Sequence, residues 1–516
     1  MIASLPRASG IILHPSSLPG PHGIGDIGSS AHRFLRFLSQ VGQSLWQVLP
    51  VGPTGFGDSP YACFSSFAGN PLLVSLEALA GWGLLQDEDL RNPPAFPAER
   101  VDYGAVITWK VPLLRTAAAR FLELPGAGRQ ERFAAFQSAE AGWLEDYCLF
   151  MALKREFASR AGRRGQPGGA WNTIWDRDIA LREPSALRRW RQELAAEILI
   201  EKVIQFFFFE QWGVLRAEAA RQGVRIIGDL PIFAAPDSAD VWVNRELFLL
   251  DANGRPTVVS GVPPDYFSRT GQLWGNPLYD WDALERQGYR FWVERIRAAR
   301  KLFDFIRIDH FRGFEASWTV PAGESTAENG AWVKAPGLAL FQALLEQLGE
   351  LPLIAEDLGV ITPRVEELRG RLGFPGMRVL QFAFDSVESG SLSAGNRFLP
   401  HNHTPDSVVY TGTHDNDTTR GWYSHRTAQE RDYLARYLGF QEPQIEWSFI
   451  RMALASVCRF ALFPLQDVLG LGEEARLNTP GTSGGKNWTW RFDERSLTEE
   501  KAGRLLDLGR LYGRVQ

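Results

Sequence analysis

The sequence predicts an α/β protein built as a (β/α)8 TIM-type barrel with large, mostly helical insertions, and three observations carry that expectation. Short apolar runs that end in polar residues occur eight times. Helical periodicity fills the chain between most of them. The residues best suited to chemistry fall at the C-terminal ends of these runs, which is where barrels of this kind carry their sites.

The runs lie at 10–15, 44–50, 225–230, 305–309, 353–357, 377–382, 407–412 and 461–465. Helical patterns at 289–303 and 338–348 precede the fourth and fifth runs. Alternation of this kind favours a parallel sheet, and eight repeats favour its closure. The spacing is uneven. About 175 residues separate the second and third runs, and about 75 separate the third and fourth. In the first gap Leu187, Trp190, Leu194 and Ile198 step by three, four and four, giving one apolar helix face. The Pro-rich stretch 92–97 reads as a connector, and no repeat marks a separate module. We therefore expect one catalytic barrel over 1–516. A mostly helical insertion at 51–224 separates its strands 2 and 3, and an insertion at 231–304 with a substrate-binding loop separates strands 3 and 4.

Hydrophobic residues make up 45% and charged residues 22%, as in globular proteins with a sizeable core. The formal charge is −5, and no basic stripe could neutralise a series of phosphates, so nucleic acid is not an expected partner. The most apolar stretch, 198–209, is broken by Glu201, Lys202 and Gln205, and residues 1–7 lack a basic segment leading into an apolar core. A soluble cytoplasmic protein without membrane contact is expected. Cys63, Cys148 and Cys458 stand far apart in no metal-ligand spacing, so neither a metal nor a disulfide framework is expected, and no cofactor fingerprint occurs. Eighteen tryptophans and 33 phenylalanines exceed ordinary core needs, leaving some rings free to act as flat apolar platforms.

The chemistry starts at 305–309. A period of two puts Arg307 and Asp309 on one face, with Ile306 and Ile308 turned to the surrounding helices. A structural salt bridge is one reading of the pair; a carboxylate kept ionised and aimed as a nucleophile is the other. On the next strand Ile354 and Glu356 share a face, so a second carboxyl group enters the same lumen. Adjacent strands lie about 4.8 Å apart, which suits the separation of about 5 to 5.5 Å that cleavage of a glycosidic bond with retention requires. At 410–417 His414 and Asp415 cannot both point inward from an ideal strand, so a bend after Gly412 is expected. In 261–275, Tyr266, Phe267 and Trp274 stand among glycines and prolines, which favours a loop over a core cluster. Aromatics with polar neighbours such as Asp265 and Gln272 suit sugars, whose C–H faces pack on rings.

Arg307, Asp309, Glu356, His414 and Asp415 resemble, in order and at strand ends, the conserved segments of the α-amylase clan. Longer strings narrow this to the amylomaltase family of 4-α-glucanotransferases: 228–233 (Gly-Asp-Leu-Pro-Ile-Phe), 237–242 (Asp-Ser-Ala-Asp-Val-Trp), 261–268 with 271–281, 9–19 and Ser59-Pro-Tyr61. The resemblance spans roughly 9 to 492. It implies Asp309 as nucleophile, Glu356 as general acid/base and Asp415 as the residue that grips the hydroxyls of the attacked glucose, assisted by Arg307 and His414. It also implies Tyr61 as a stacking platform, and Asp265, Tyr266, Phe267, Gln272 and Trp274 as the loop that holds flanking glucoses. Two positions depart from the pattern. Phe56 stands where relatives often carry a tyrosine of a secondary glucan site, and Lys486 stands where a glycine or no residue is usual.

The expected activity is therefore metal-free, retaining transfer of α-1,4-glucan segments from a maltodextrin, starch or glycogen donor to the 4-hydroxyl of glucose or another maltodextrin, with cyclic glucans formed by intramolecular transfer. A hydrolytic α-amylase or α-glucosidase is the rival enzyme. A catalytically silent glucan-binding scaffold is the rival of a different class, and the presence of all three carboxylates and Arg307 argues against it.

Overall fold

Eight short strands pair side by side, all parallel: β1 (Ala8–Ile12), β2 (Leu45–Gln47), β3 (Arg225–Leu230), β6 (Phe305–Ile308), β9 (Leu353–Ala355), β10 (Gly376–Val379), β11 (Ser407–Tyr410) and β12 (Phe460–Pro464). The computed structural model describes residues 5–123, 127–264, 268–386, 392–439 and 444–515. Each predicted run overlaps one of these strands, and β1, β10 and β12 begin one or two residues before the run that marks them. The ladder runs β10-β11-β12-β1-β2-β3-β6-β9, and its two ends are joined by the Ala355 N–H donating to the Pro375 carbonyl at 2.9 Å. Seven of the strands are buried throughout, and β3 is buried apart from its first residue, Arg225. A parallel sheet covered on the outside by helices and filled inside by side chains demands such continuous burial. Gly10 is required where β1 meets β2, since a Cβ there would lie 2.1 Å from the Leu45 carbonyl oxygen.

Between β2 and β3 the chain is mainly helical, with Tyr103–Glu123, Leu144–Arg163 and Ala195–Arg221 as the long members. The last carries Phe206, Phe207 and Phe208, all buried, and its apolar residues are spread around the whole circumference. Phe206 and Phe207 meet Phe121 at ring separations of 5.6 and 5.7 Å, which packs two of these helices together, and Trp212 of the last helix meets Phe303 at 5.9 Å next to β6. The apolar face from Leu187 to Ile198 exists, but on two helices: Pro184–Glu193 ends and Ala195–Arg221 begins at Leu194, whose φ of −104° and ψ of 18° break the helical path. The Pro-rich stretch 92–97 is irregular, as a connector should be.

A second sheet is a finding that periodicity did not disclose. Strands β4 (Val258–Val262), β5 (Gln272–Pro277), β7 (Ala316–Pro321) and β8 (Ala331–Lys334) form an antiparallel sheet in the order β5-β4-β7-β8. Gln272 and Trp274 therefore stand on a strand, not on an irregular loop. Two of the sheet's strands precede β6 and two follow it, so the 258–277 hairpin is completed by residues beyond the 231–304 insertion. Among the described residues no helix is long and apolar enough to cross a membrane.

Candidate active site

Strand register brings the carboxylates together. In β3, β6 and β9, Asp229 is paired with Arg307 and Arg307 with Ile354, while Ile308 is paired with Ala355. One residue further, Asp309 and Glu356 leave their strands side by side at the barrel's C-terminal end.

Arg307 is almost fully buried and spans two acids. Its Nη1 lies 2.6 Å from Asp229 Oδ2, and its Nη2 lies 3.0 Å from Asp309 Oδ1. The planar fork of a guanidinium suits this double grip, which a lysine could not reproduce. Asp229 also accepts from the Tyr61 hydroxyl at 2.9 Å. Burial pushes the Asp229 carboxyl up to about 7 against the pull of Arg307, with Asp309 adding to the rise.

Glu356 accepts two backbone N–H groups, from His310 at 2.6 Å on Oε2 and from Leu358 at 3.0 Å on Oε1. These bonds and Arg307 favour its charged form. Burial and the nearby Asp309 outweigh them, and the carboxyl is pushed up to about 8. Its environment thus keeps one carboxyl group protonated at neutral pH beside another held by a cation. His310 adopts a left-handed backbone (φ 51°), which turns its N–H toward Glu356. Such strain in a residue with a bulky side chain is characteristic of functional sites.

The third carboxylate comes from the turn after β11, which leaves the strand at Tyr410 and lets His414 and Asp415 both face the groove. Asp415 Oδ1 accepts from Asn478 Nδ2 at 2.7 Å, and Arg476 holds the Asp415 carbonyl at 2.7 Å. His414 stacks almost parallel on Tyr61, with centroids 5.1 Å apart and planes 12° from parallel, and Trp488 flanks both rings. Burial lowers the pKa of His414, favouring the neutral imidazole.

Tyr61, Gln272, Trp274, Arg307, Asp309, Glu356, His414 and Asp415 all line one open groove of about 1510 Å³. Trp274 is 38% exposed and meets His310 edge to face at 4.8 Å. Asp265, Tyr266 and Phe267 lie outside the described residues. The groove adds residues that the sequence did not single out as a site. Asp229 was visible as a strand-end acid, but its link to Tyr61 was not. Asn478, Arg476 and Trp488 come from an irregular C-terminal stretch with no periodic signal. Phe56 is 82% exposed at the rim.

Among the described residues, Asp417, His425 and Glu473 bring ligand-type atoms within 4.8 Å of one another near the groove. The exposed 2.9 Å hydrogen-bond contact of His425 Nε2 with Glu473 accounts for much of this, and an exposed contact of this kind is worth little on its own.

A family model described as 4-alpha-glucanotransferase matches residues 13–498. A 4-alpha-glucanotransferase of Thermus thermophilus is 53% identical over 510 residues, covering 97% of this chain and 98% of its own. One from Synechocystis is 49% identical over 512 residues, with 98% of each chain covered. Among solved structures, an amylomaltase from Streptococcus agalactiae in complex with acarbose superposes with a TM-score of 0.93 at 37% identity, covering 99% of this chain and 100% of that one. With a family match that takes in every strand end at the groove, and relatives aligned over nearly their whole length, this chain belongs to the 4-alpha-glucanotransferase family.

Proposed function

We propose that this 4-α-glucanotransferase works by double displacement with retention, with Asp309 as nucleophile and Glu356 as general acid/base. The observation that carries the reading is the contrast between two neighbouring carboxyl groups, one gripped by Arg307 and one raised to about 8. Glu356 protonates the departing glycosidic oxygen while Asp309 attacks the anomeric carbon, forming a glycosyl-enzyme. Both Glu356 oxygens already accept backbone N–H groups, so the acidic proton is free to be directed into the groove. In the second step the Glu356 carboxylate takes the proton from an incoming 4-hydroxyl, whose oxygen displaces Asp309.

Asp415, held by Asn478 and Arg476, grips hydroxyls of the attacked glucose, with His414 and Arg307 assisting and Tyr61 as its stacking face. Gln272 and Trp274 hold flanking glucoses, and the same role extends to Asp265, Tyr266 and Phe267. The donors are α-1,4-glucans: maltodextrins, starch or glycogen. The acceptor is glucose or another maltodextrin, and intramolecular transfer gives cyclic glucans. One barrel over 1–516, with its insertions at 51–224 and 231–304, serves as the catalytic unit. Cys63, Cys148 and Cys458 are unpaired, which supports a cytoplasmic setting.

Incubation with maltotriose alone tests the reading. Glucose and a ladder of longer maltodextrins should appear with little net gain in reducing ends, whereas steady growth of reducing ends would favour the hydrolase.

A further inference from the structure

The second sheet places a tryptophan on the groove wall. Trp332 stands on β8, the edge strand, and is 39% exposed. It lines the same groove as Glu356 and the residues that follow it, Leu358, Gly359 and Val360. One face of its indole is covered by Arg312, whose guanidinium carbon lies 3.6 Å from the ring centroid. Trp318, its cross-strand partner, packs edge-on at 5.2 Å and is itself anchored by its Nε1 donating to the Ala327 carbonyl at 2.8 Å. Arg312 is buried and donates to the Val360 carbonyl. The ring is thus fixed from behind and from one edge, and its uncovered surface belongs to the groove.

The direction of the groove follows from the chemistry. Glu356 serves the oxygen between the attacked glucose and the departing chain, so the wall beyond Glu356 runs along the departing or incoming chain. The wall made by Tyr61, His414 and Asp415 surrounds the attacked glucose. Arg312 is three residues beyond Asp309 and grips a carbonyl four residues beyond Glu356. The platform therefore hangs from the same two strand ends as the reacting groups.

We propose that Trp332, backed by Arg312, is a stacking subsite for a distal glucose of the acceptor or leaving α-glucan, and that it biases the enzyme toward longer acceptors. The proposal rests on the transferase reading above. A ring with one face held by a guanidinium and the other open offers the flat apolar surface on which a pyranose C–H face packs, with little side-chain freedom left to lose. Glucose as acceptor reaches only the position next to Glu356 and gains nothing from Trp332; a maltotetraose extends along the wall to it.

The test uses the full chain, a fixed soluble-starch donor, and radiolabelled glucose, maltose, maltotriose and maltotetraose as acceptors. Trp332→Ala should raise the acceptor KM about 3- to 10-fold more for maltotetraose than for glucose, and Trp332→Phe, which keeps a ring, should restore most of the difference. Trp332→Leu, closer in bulk but without a flat face, is read in the same way should the alanine variant fail to fold. An equal rise for all four acceptors, no rise for any, or a Phe variant as impaired as the Ala variant would each overturn the subsite. A wild-type protein that transfers to no acceptor would instead bring down the transferase reading, and the subsite with it.

Discussion

The backbone N–H of His310 donates to Glu356 Oε2 at 2.6 Å, so the residue that follows Asp309 in the chain is also the one that positions the Glu356 carboxyl. The Asp309 and Glu356 carboxyl groups are thereby set relative to each other by backbone, which is stiffer than any pair of side chains. General acid/base and nucleophilic steps depend on such fixed geometry.

Asp309→Asn and Glu356→Gln should each lower kcat by at least about 10²-fold, the low end of what a positioned acid/base contributes, with secondary structure intact by circular dichroism. The glutamine has one acceptor oxygen where the glutamate has two. It leaves the N–H of His310 or Leu358 facing an amide donor, so a lower Tm for that variant is also expected. Retention of more than about a tenth of wild-type kcat would remove the role from that residue.

The pH profile should reflect Glu356. Its carboxyl is raised to about 8, so it holds its proton below that pH and loses it above, and the rate should fall on the alkaline side of about pH 8. Arg307 pulls this value down, so Arg307→Met should move the alkaline limb to higher pH in whatever activity survives. A limb that stays in place would mean that another group is being read.

Tyr61 makes two separable contacts. Tyr61→Phe keeps the ring parallel to His414 and removes only the hydroxyl bonded to Asp229, a hydrogen bond worth about 0.5–1.5 kcal/mol. Its kcat/KM should fall about 2- to 10-fold, and Tyr61→Ala should fall further. Equal losses in the two variants would show that stacking contributes nothing.

Trp274→Ala should shift products from transfer toward hydrolysis. A glycosyl-enzyme faces water at about 55 M and survives only where the groove excludes ordered water and holds an acceptor in line. Trp274, edge-on to His310 at 4.8 Å, stands where it can do both. The measurement is reducing ends formed per transfer event from maltotriose, and an unchanged ratio would withdraw the role from this side chain.

The barrel was legible because parallel strands buried on both faces must be continuous apolar runs, and because a period of two places Arg307 with Asp309 and Ile354 with Glu356. The antiparallel sheet was not. Two of its strands are broken by Gly261, Gly275 and Pro277, and β8 is exposed throughout, so no alternation survives there to be read. Asp229 shows the same limit at the site: a strand-end acid is visible in sequence, but its bonds to Tyr61 and Arg307 join residues from separate regions of the chain. Leu194 looked like one step of a continuous helix because hydrophobic spacing does not register a local change in backbone angle.

The stack of Tyr61, His414 and Trp488 joins segments from near the two ends of the chain. Loop closure on that scale comes late in folding, after local helices and neighbouring strand pairs have formed. During refolding, recovery of transfer activity should accordingly lag the return of helical circular dichroism, since a chain with most of its secondary structure but no joined ends has no complete sugar groove.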